Sequence, residues 1–378
     1  IKTAGEGQRD VGLLVSERPC VVAGVFTQNK FRAAPVHWCQ ERVASRRAQA
    51  IVVNSGNANA GTGDQGYQDT AQMAVVAAEH LGLDRHDVLV ASTGVIGVPM
   101  PMEKVRQGIV SVHPTREGAS QFVRAMMTTD TFPKTIAAPV TLRNGRGVIG
   151  GAAKGAGMIH PNMATLLSFI TTDLAVEPHL LQQALKAAAD ASFNMITIDG
   201  DTSTNDTLLL LANGAAGAPE IREGTPDAHT FQESLNALCI HLAKMVARDG
   251  EGATKLIEVR AEGAQTLADA RAAARTVAAS SLFKAAVYGR DPNWGRILSA
   301  AGRSGAELDP ARADVFVGDI CLMRSGQPQP FDRAAARAAM SGDEVDFRID
   351  LNLGQFQATA WGCDLTEEYV RFNAEYTT

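Results

Sequence analysis

The chain has 378 residues, of which 45% are hydrophobic and 20% charged, and its formal net charge is −6. This length predicts either two lobes or one large layered domain, and the composition is ordinary for a globular protein. The negative charge and the scattered basic residues argue against a nucleic-acid or anionic-membrane partner, because such partners require a clustered positive field.

The predicted elements alternate between strands and helices along the chain. Short apolar runs predict strands at 50–54, 87–91, 166–171, 207–212, 256–261 and 345–351. Apolar residues at helical spacing predict helices at 70–81, 116–127, 177–193, 230–247 and 267–279. Segments rich in Gly or Asn predict loops at 54–63 and 145–157. The sequence therefore predicts a mixed α/β fold without an obvious linker.

The five cysteines are widely spaced and include no C-x-x-C pair. This pattern predicts buried, reduced side chains in a cytoplasmic protein. The apolar runs are far shorter than the ~20 residues that a membrane helix needs. The chain opens at Ile1 rather than Met, so a preceding targeting segment stays open as an alternative.

Two motifs resemble binding sites but depart from the required pattern. The glycines at 145, 147 and 150 match a dinucleotide motif, yet more glycine follows them instead of a helix. Residues 199–206 resemble the start of a calcium loop, but Leu210 occupies the position of the bidentate Glu. The histidines lack zinc-site spacing, and no G-x-S-x-G motif supports a Ser-His-Asp triad, although spacing alone leaves a triad open. We predict neither a nucleotide nor a metal site, and a hydrogen-bonded acidic loop at 199–206.

The most informative segment is Lys-Gly-Ala-Gly-Met-Ile-His-Pro-Asn-Met-Ala-Thr-Leu-Leu, residues 154–167. Judged by residue type alone, Thr165 would be an ordinary β-branched strand residue. The segment resembles the nucleophile motif of the glutamate N-acetyltransferase/ornithine acetyltransferase family of arginine biosynthesis, which is self-processed before the Thr of Met-Ala-Thr. Further segments resemble family motifs in the same order, at 91–97, 127–130, 199–206, 249–255, 291–296 and 373–378. Gly61 departs from the family pattern, in which Cys is common at that position.

The resemblance implies a layered α/β sandwich with mixed sheets, of the self-cleaved N-terminal-nucleophile type. Cleavage between Ala164 and Thr165 would give an alpha fragment, residues 1–164, and a beta fragment, residues 165–378. The two fragments would build one composite site and associate further into an α₂β₂ or larger assembly. Neither a metal nor an organic cofactor is implied.

An N-terminal threonine can act as its own base. The Thr165 hydroxyl would attack the Ala164 carbonyl, and hydrolysis of the resulting ester would free an α-amino group with a pKa of about 7.7–8.0. That amine can accept the hydroxyl proton during acetyl transfer. The resemblance assigns the oxyanion donors to Thr93 and Gly94. It assigns substrate contacts to Thr128, Lys154, Thr165, Glu251, Asn373 and Thr378.

The implied reaction is ping-pong transfer of acetyl from N-acetylornithine through Thr165 to glutamate, and acetyl-CoA stays open as a second donor. Three alternatives remain at this point. One is a self-cleaving aminopeptidase or amidase, whose members typically use Ser as nucleophile. The second is a paralogue that serves secondary metabolism with the same chemistry. The third is a catalytically silent ligand-binding protein, which would have no reason to break at Ala164.

Overall fold

The computed structural model describes residues 9–160 and 166–375, and these form two seven-stranded sheets with helices packed against them. The strands are β1 (Val11–Phe26), β2 (Arg47–Asn57), β3 (Val88–Val95), β4 (Lys134–Leu142), β5 (Gly145–Lys154), β6 (Leu167–Thr172), β7 (Ile196–Thr197), β8 (Thr207–Ala212), β9 (Leu256–Ala264), β10 (Asp314–Val317), β11 (Ile320–Arg324), β12 (Gln327–Pro328), β13 (Glu344–Asp350) and β14 (Phe356–Cys363).

The helices are α1 (Ala34–Val43), α2 (Gly63–Leu81), α3 (Met102–Ser111), α4 (Ala119–Met126), α5 (Pro178–Ala191), α6 (Pro226–Arg248), α7 (Leu267–Ala278), α8 (Ser281–Tyr288), α9 (Trp294–Gly302), α10 (Arg333–Ala339) and α11 (Glu367–Glu375). Short 3₁₀ turns lie at Arg85–Asp87 and Phe193–Met195. Within the described ranges, no helix is long and apolar enough to cross a membrane.

The first sheet has the strand order β3-β2-β1-β8-β6-β5-β4. Its β2–β3 and β6–β8 pairs are parallel and its other pairs antiparallel. Strands β6 and β8, which come after the predicted cleavage point in sequence, lie between β1 and β5, which precede it. At one of these junctions Lys154 on β5 is paired with Leu167 on β6.

The second sheet has the order β12-β11-β10-β13-β9-β14-β7 and is also mixed, with parallel β13–β9 and β14–β7 pairs. All of its strands follow residue 195 in the chain. The described residues before the predicted cleavage point, 9–160, therefore contribute strands to the first sheet and none to the second.

Strand β8 contributes side chains to the hydrophobic cores on both faces of the first sheet. Its six residues, Thr207–Ala212, are all buried, because helices cover both faces of the first sheet. Leu208 and Leu210 belong to a core with α5 and α6, whereas Leu209 and Leu211 belong to a core with α1–α4. The first of these cores continues into the second sheet and α7. The predicted layered α/β sandwich with mixed sheets is thus confirmed.

The six predicted strands and five predicted helices are confirmed, with ends that shift by several residues. The predicted loop at 145–157 is wrong, because residues 145–154 form β5. The glycines there serve close packing: a Cβ on Gly151 would lie 3.0 Å from both Leu238 and Leu242 of α6. All five cysteines are free, and all except the partly buried Cys321 are buried.

Phe231, on the face of α6 that joins the main core, tests the importance of this packing. The side chain is fully buried, whereas Phe31 is 82% exposed. Phe231→Ala is expected to lower the free energy of unfolding by about 3–5 kcal/mol through lost contacts and the cavity left behind. The matched control Phe31→Ala is expected to change it by no more than about 0.5 kcal/mol. Urea denaturation followed by tryptophan fluorescence measures both, and equal losses would contradict this account of the core.

Candidate active site

Lys154 is the last residue of β5, and its side chain is buried. Its Nζ donates hydrogen bonds to the hydroxyl of Thr128 at 2.8 Å and to the hydroxyl of Thr93 at 3.3 Å. Thr93 lies on β3, and Thr128 follows the end of α4. Three separate elements thus place two hydroxyl groups around one buried ammonium group. Such a group can bind a carboxylate or stabilise negative charge on a carbonyl oxygen.

Burial lowers the pKa of Lys154, because a charged ammonium group loses hydration there. The carboxylate of Asp130 opposes this shift, with Oδ2 lying 3.9 Å from Nζ. Asp130 also accepts a hydrogen bond from the backbone N–H of Gly155, the residue after Lys154, at 2.7 Å. Asp130 therefore contacts both the side chain and the following backbone of this site.

Gly94 lies beside Thr93 at a place where two strands approach very closely. Its φ is 133°, a conformation that side chains rarely adopt, and a Cβ there would lie 2.3 Å from the carbonyl carbon of Gly56 on β2. Only glycine fits this approach. The resemblance assigns the oxyanion donors to Thr93 and Gly94 in a turn after the strand predicted at 87–91. The turn is wrong, because both residues belong to β3 and are paired with β2, and Thr93 contacts Lys154 from there.

Glu251 and Asn373 form a second part of the site. The Nδ2 of Asn373 on α11 donates to Glu251 Oε2 at 3.0 Å, and the Glu251 backbone N–H donates to the Ala156 carbonyl at 2.8 Å. A Cβ on Gly157 would lie 2.6 Å from the Glu251 carboxyl carbon, so this glycine leaves room for the acid. Residues 154–157 thus connect the Lys154 group of side chains with the Glu251–Asn373 pair.

The acidic loop at 199–206 is hydrogen-bonded, as predicted. Asp199 accepts from the backbone N–H groups of Met158, Ile159 and Asp201, and burial raises its pKa. The loop therefore holds the chain that leads away from Lys154. Across the described residues, no group of three or more His, Cys, Asp or Glu side chains is arranged to hold a metal ion.

Asp206, at the end of this loop, is a residue whose role the sequence did not predict. Its Oδ1 accepts from the backbone N–H of Leu166 at 2.9 Å, and its side chain is fully buried. Within the described ranges, Oδ2 has no hydrogen-bond partner. Burial raises the pKa of Asp206 well above its usual value, although the Leu166 N–H, the Thr27 hydroxyl and the Lys154 charge oppose the shift. The backbone of Leu166, the residue after Thr165, is thus held by the Asp206 carboxyl group, whose raised pKa favours the neutral acid.

The structure brings four of the predicted residues together, namely Thr93, Gly94, Thr128 and Lys154, and links them to Glu251 and Asn373. Ala164, Thr165 and Thr378 lie outside the described residues. Asp130 and Asp206 are the additions. Both ended a segment singled out in the sequence, at 127–130 and 199–206, but no residue pattern indicated which groups they would contact.

Comparison with known proteins gives consistent matches over the whole chain. The ArgJ family matches residues 1–378. The chain is 55% identical to the arginine biosynthesis bifunctional protein ArgJ of Symbiobacterium thermophilum over 380 residues, covering 100% of this chain and 94% of that protein. It is 50% identical to the protein of the same name from Dehalococcoides mccartyi, covering 100% of this chain and 93% of that protein.

Among solved structures, the fold is similar to that of the arginine biosynthesis bifunctional protein ArgJ from Bacillus halodurans. The TM-score is 0.54 at 43% sequence identity. The match covers 98% of that chain and 55% of this one.

Gly94→Ala tests the close approach of β2 and β3. The added methyl group must displace the Gly56 backbone, so we expect a loss of stability larger than that of a glycine replaced in open space. Gly97, with φ 80° and no atom within 4 Å of a built Cβ, is the matched control. Gly97→Ala is expected to cost about 1–2 kcal/mol from backbone conformation alone. Thermal unfolding of both variants measures the difference, and a smaller loss for Gly94→Ala would contradict the steric argument.

Asp206→Asn tests whether the buried carboxyl is neutral. A carboxyl group whose pKa is raised in the folded state stabilises the protein at pH values below its usual pKa of about 3.9. This contribution to stability is lost as the pH rises through the folded-state pKa. Asn can keep the Leu166 hydrogen bond and cannot ionise. The melting temperature of the variant minus that of the wild type should therefore become more positive as pH rises above about 4. A difference that is constant with pH would show that Asp206 does not titrate in this way.

Proposed function

This chain belongs to the ArgJ family, and on that premise we propose that it is a self-cleaving glutamate N-acetyltransferase that takes its acetyl group from N-acetylornithine in arginine biosynthesis. The observation that carries the proposal is the cluster of Lys154, Thr93 and Thr128 at the end of β5. In the sequence, Met163-Ala164-Thr165 stands between Lys154 of this cluster and strand β6, which is paired with β5.

Self-cleavage between Ala164 and Thr165 is supported by how the flanking chain is held. Lys154 is paired with Leu167 across the sheet, and Asp206 binds the Leu166 N–H directly after the proposed nucleophile. In the cleavage step, the Thr165 hydroxyl attacks the Ala164 carbonyl, the peptide bond becomes an ester, and water hydrolyses that ester. The products are a carboxylate at Ala164 and a free α-amino group at Thr165.

The same hydroxyl then performs acetyl transfer. The Thr165 amine takes the hydroxyl proton as the oxygen attacks the acetyl carbonyl of N-acetylornithine, and ornithine leaves with that proton on its amine. The glutamate amine attacks acetyl-Thr165, and the proton it loses restores the hydroxyl. Thr93 and the Gly94 N–H are the proposed oxyanion donors.

Charge complementarity supports the proposed substrate contacts. The Lys154 ammonium and the Thr128 hydroxyl suit a substrate carboxylate, and Glu251 with Asn373 suits a substrate ammonium group. We add Thr378 to this second group on the family resemblance of residues 373–378. The name "bifunctional" carried by the relatives favours a second donor, for which we propose acetyl-CoA.

We further propose that the alpha fragment, 1–164, and the beta fragment, 165–378, stay together after cleavage and assemble into an α₂β₂ or larger oligomer. The interleaved strands of the first sheet support the first part of this proposal.

Cleavage can be measured directly by intact-mass spectrometry. The purified protein is expected to give two fragments, one ending at Ala164 and one beginning at Thr165, while Thr165→Ala remains one chain. Thr171→Ala, an exposed threonine on β6, is the matched control and should still be cleaved. A single uncut wild-type chain with full acetyltransferase activity would rule out the proposed nucleophile.

Acetyl transfer is tested with glutamate as acceptor and N-acetylornithine or acetyl-CoA as donor. Double-reciprocal plots at several fixed glutamate concentrations should be parallel, because acetyl is held on the enzyme between substrates. N-acetylornithine alone should add one acetyl group to the fragment that begins at Thr165. Intersecting lines without this adduct would indicate direct transfer, and hydrolysis of dipeptides without acetyl transfer would indicate a peptidase.

A further inference from the structure

Asp130 lies in the short segment between α4 and β4, and its side chain is completely buried. Its Oδ1 accepts from Lys134 Nζ at 2.7 Å and from the Gly155 N–H at 2.7 Å. Its Oδ2 accepts from the Thr128 N–H at 3.0 Å and lies 3.9 Å from Lys154 Nζ. The Asp130 carboxylate therefore accepts from the backbone at Thr128 and at Gly155, next to the two residues of the Lys154–Thr128 hydrogen bond. It also faces both buried lysines.

The two lysines use this carboxylate differently. Lys134 Nζ donates to Asp130 and Asp249 and also to the Phe132 carbonyl, so its three N–H groups all have acceptors. Lys154 Nζ donates to the hydroxyls of Thr93 and Thr128. At 3.9 Å, Asp130 is within ion-pair range of Lys154 but beyond hydrogen-bond distance. Within the described ranges, the third N–H of Lys154 has no acceptor.

We propose that Asp130 is a positioning residue that acts through Lys154: it balances the buried charge without accepting the N–H that has no acceptor among the described residues, and that N–H binds a substrate carboxylate. This inference rests on the proposed function, because it assumes that Lys154 binds substrate. Lys134 is the structural member of the same network. Through Lys134, Asp130 is joined to Asp249, two residues before Glu251.

The charges around Lys154 support this division of roles. The groups that face it are Asp130 before β4, Lys134 on β4, Glu251 after α6 and Asp206 before β8. Burial raises the pKa of Asp130, but the charges of Lys154 and Lys134 outweigh it and bring the value to about 2, so the carboxylate stays ionised. Loss of this negative charge would leave burial and the Lys134 charge to lower the pKa of Lys154 further.

The test is the pH dependence of kcat/KM for Asp130→Asn. Without the Asp130 charge, Lys154 should lose its proton at lower pH. The alkaline limb of the profile should therefore move to lower pH, by at least about one pH unit. Above that limb, a shift of one unit lowers kcat/KM about tenfold. In a Lys154→Met background, Asp130→Asn should add less than about twofold, because both changes remove the same interaction. A uniformly lower profile of wild-type shape, or equal losses in both backgrounds, would overturn the proposal.

Asp249→Asn is the matched control. Asp249 contacts Lys134 and is not among the groups that face Lys154, so this variant should lose stability while its alkaline limb stays in place. If Asp130→Asn does not fold, the double variant Asp130→Asn/Lys134→Met removes one charge of each sign. It should show a smaller shift in the same direction.

A second readout does not depend on the reaction. In protein labelled with ¹³C at lysine Cε, the Lys154 signal, assigned by its loss in Lys154→Met, should titrate at lower pH in Asp130→Asn than in the wild type. If the wild type transfers no acetyl group, the proposed function fails, and this titration still decides whether Asp130 holds the charge of Lys154. An unchanged titration would overturn the inference even in an active enzyme.

Discussion

The first sheet depends on hydrogen bonding between strands from opposite sides of the segment at 161–165. Strands β6 and β8 lie between β1 and β5, so two strand junctions, β1–β8 and β6–β5, join the chain before that segment to the chain after it. Neither part can complete the sheet alone. Lys154 reaches its buried position at one of these junctions, and the hydroxyls around it come from β3 and from the segment after α4.

The parts of the fold that the sequence predicted are those in which a periodic pattern coincides with an element. Strand β8 reads as four consecutive leucines and is buried on both faces, and the long helix α6 has apolar residues at helical spacing. Strand β5 was missed because its glycines are typical of loops. Their reason is tertiary, since α6 packs so closely on this strand that a side chain at Gly151 would meet two leucines. No local pattern contains that information.

The site was predictable only in part, because here too the local sequence does not show what a residue contacts in the fold. Resemblance identified Lys154, Thr93 and Thr128, although a lysine in a glycine-rich stretch gives no sign of being buried. The residue that makes its burial tolerable, Asp130, comes from a separate part of the chain and is brought next to Lys154 only by the fold. A buried cation requires such partners, because the loss of hydration would otherwise favour its neutral form. The sequence therefore indicates the reactive residues more readily than the charged groups that keep them ionised when they are buried.

The interleaved order of the first sheet also bears on how the protein could recover from denaturation. A chain divided between β5 and β6 after folding would keep its sheet, because the junctions are hydrogen bonds and packing rather than covalent links. Once unfolded, however, its two pieces would have to find each other by diffusion before either junction could form. Refolding would then slow as the protein is diluted, and the lifetime of the native state would be set by its rate of unfolding rather than by an equilibrium within one chain.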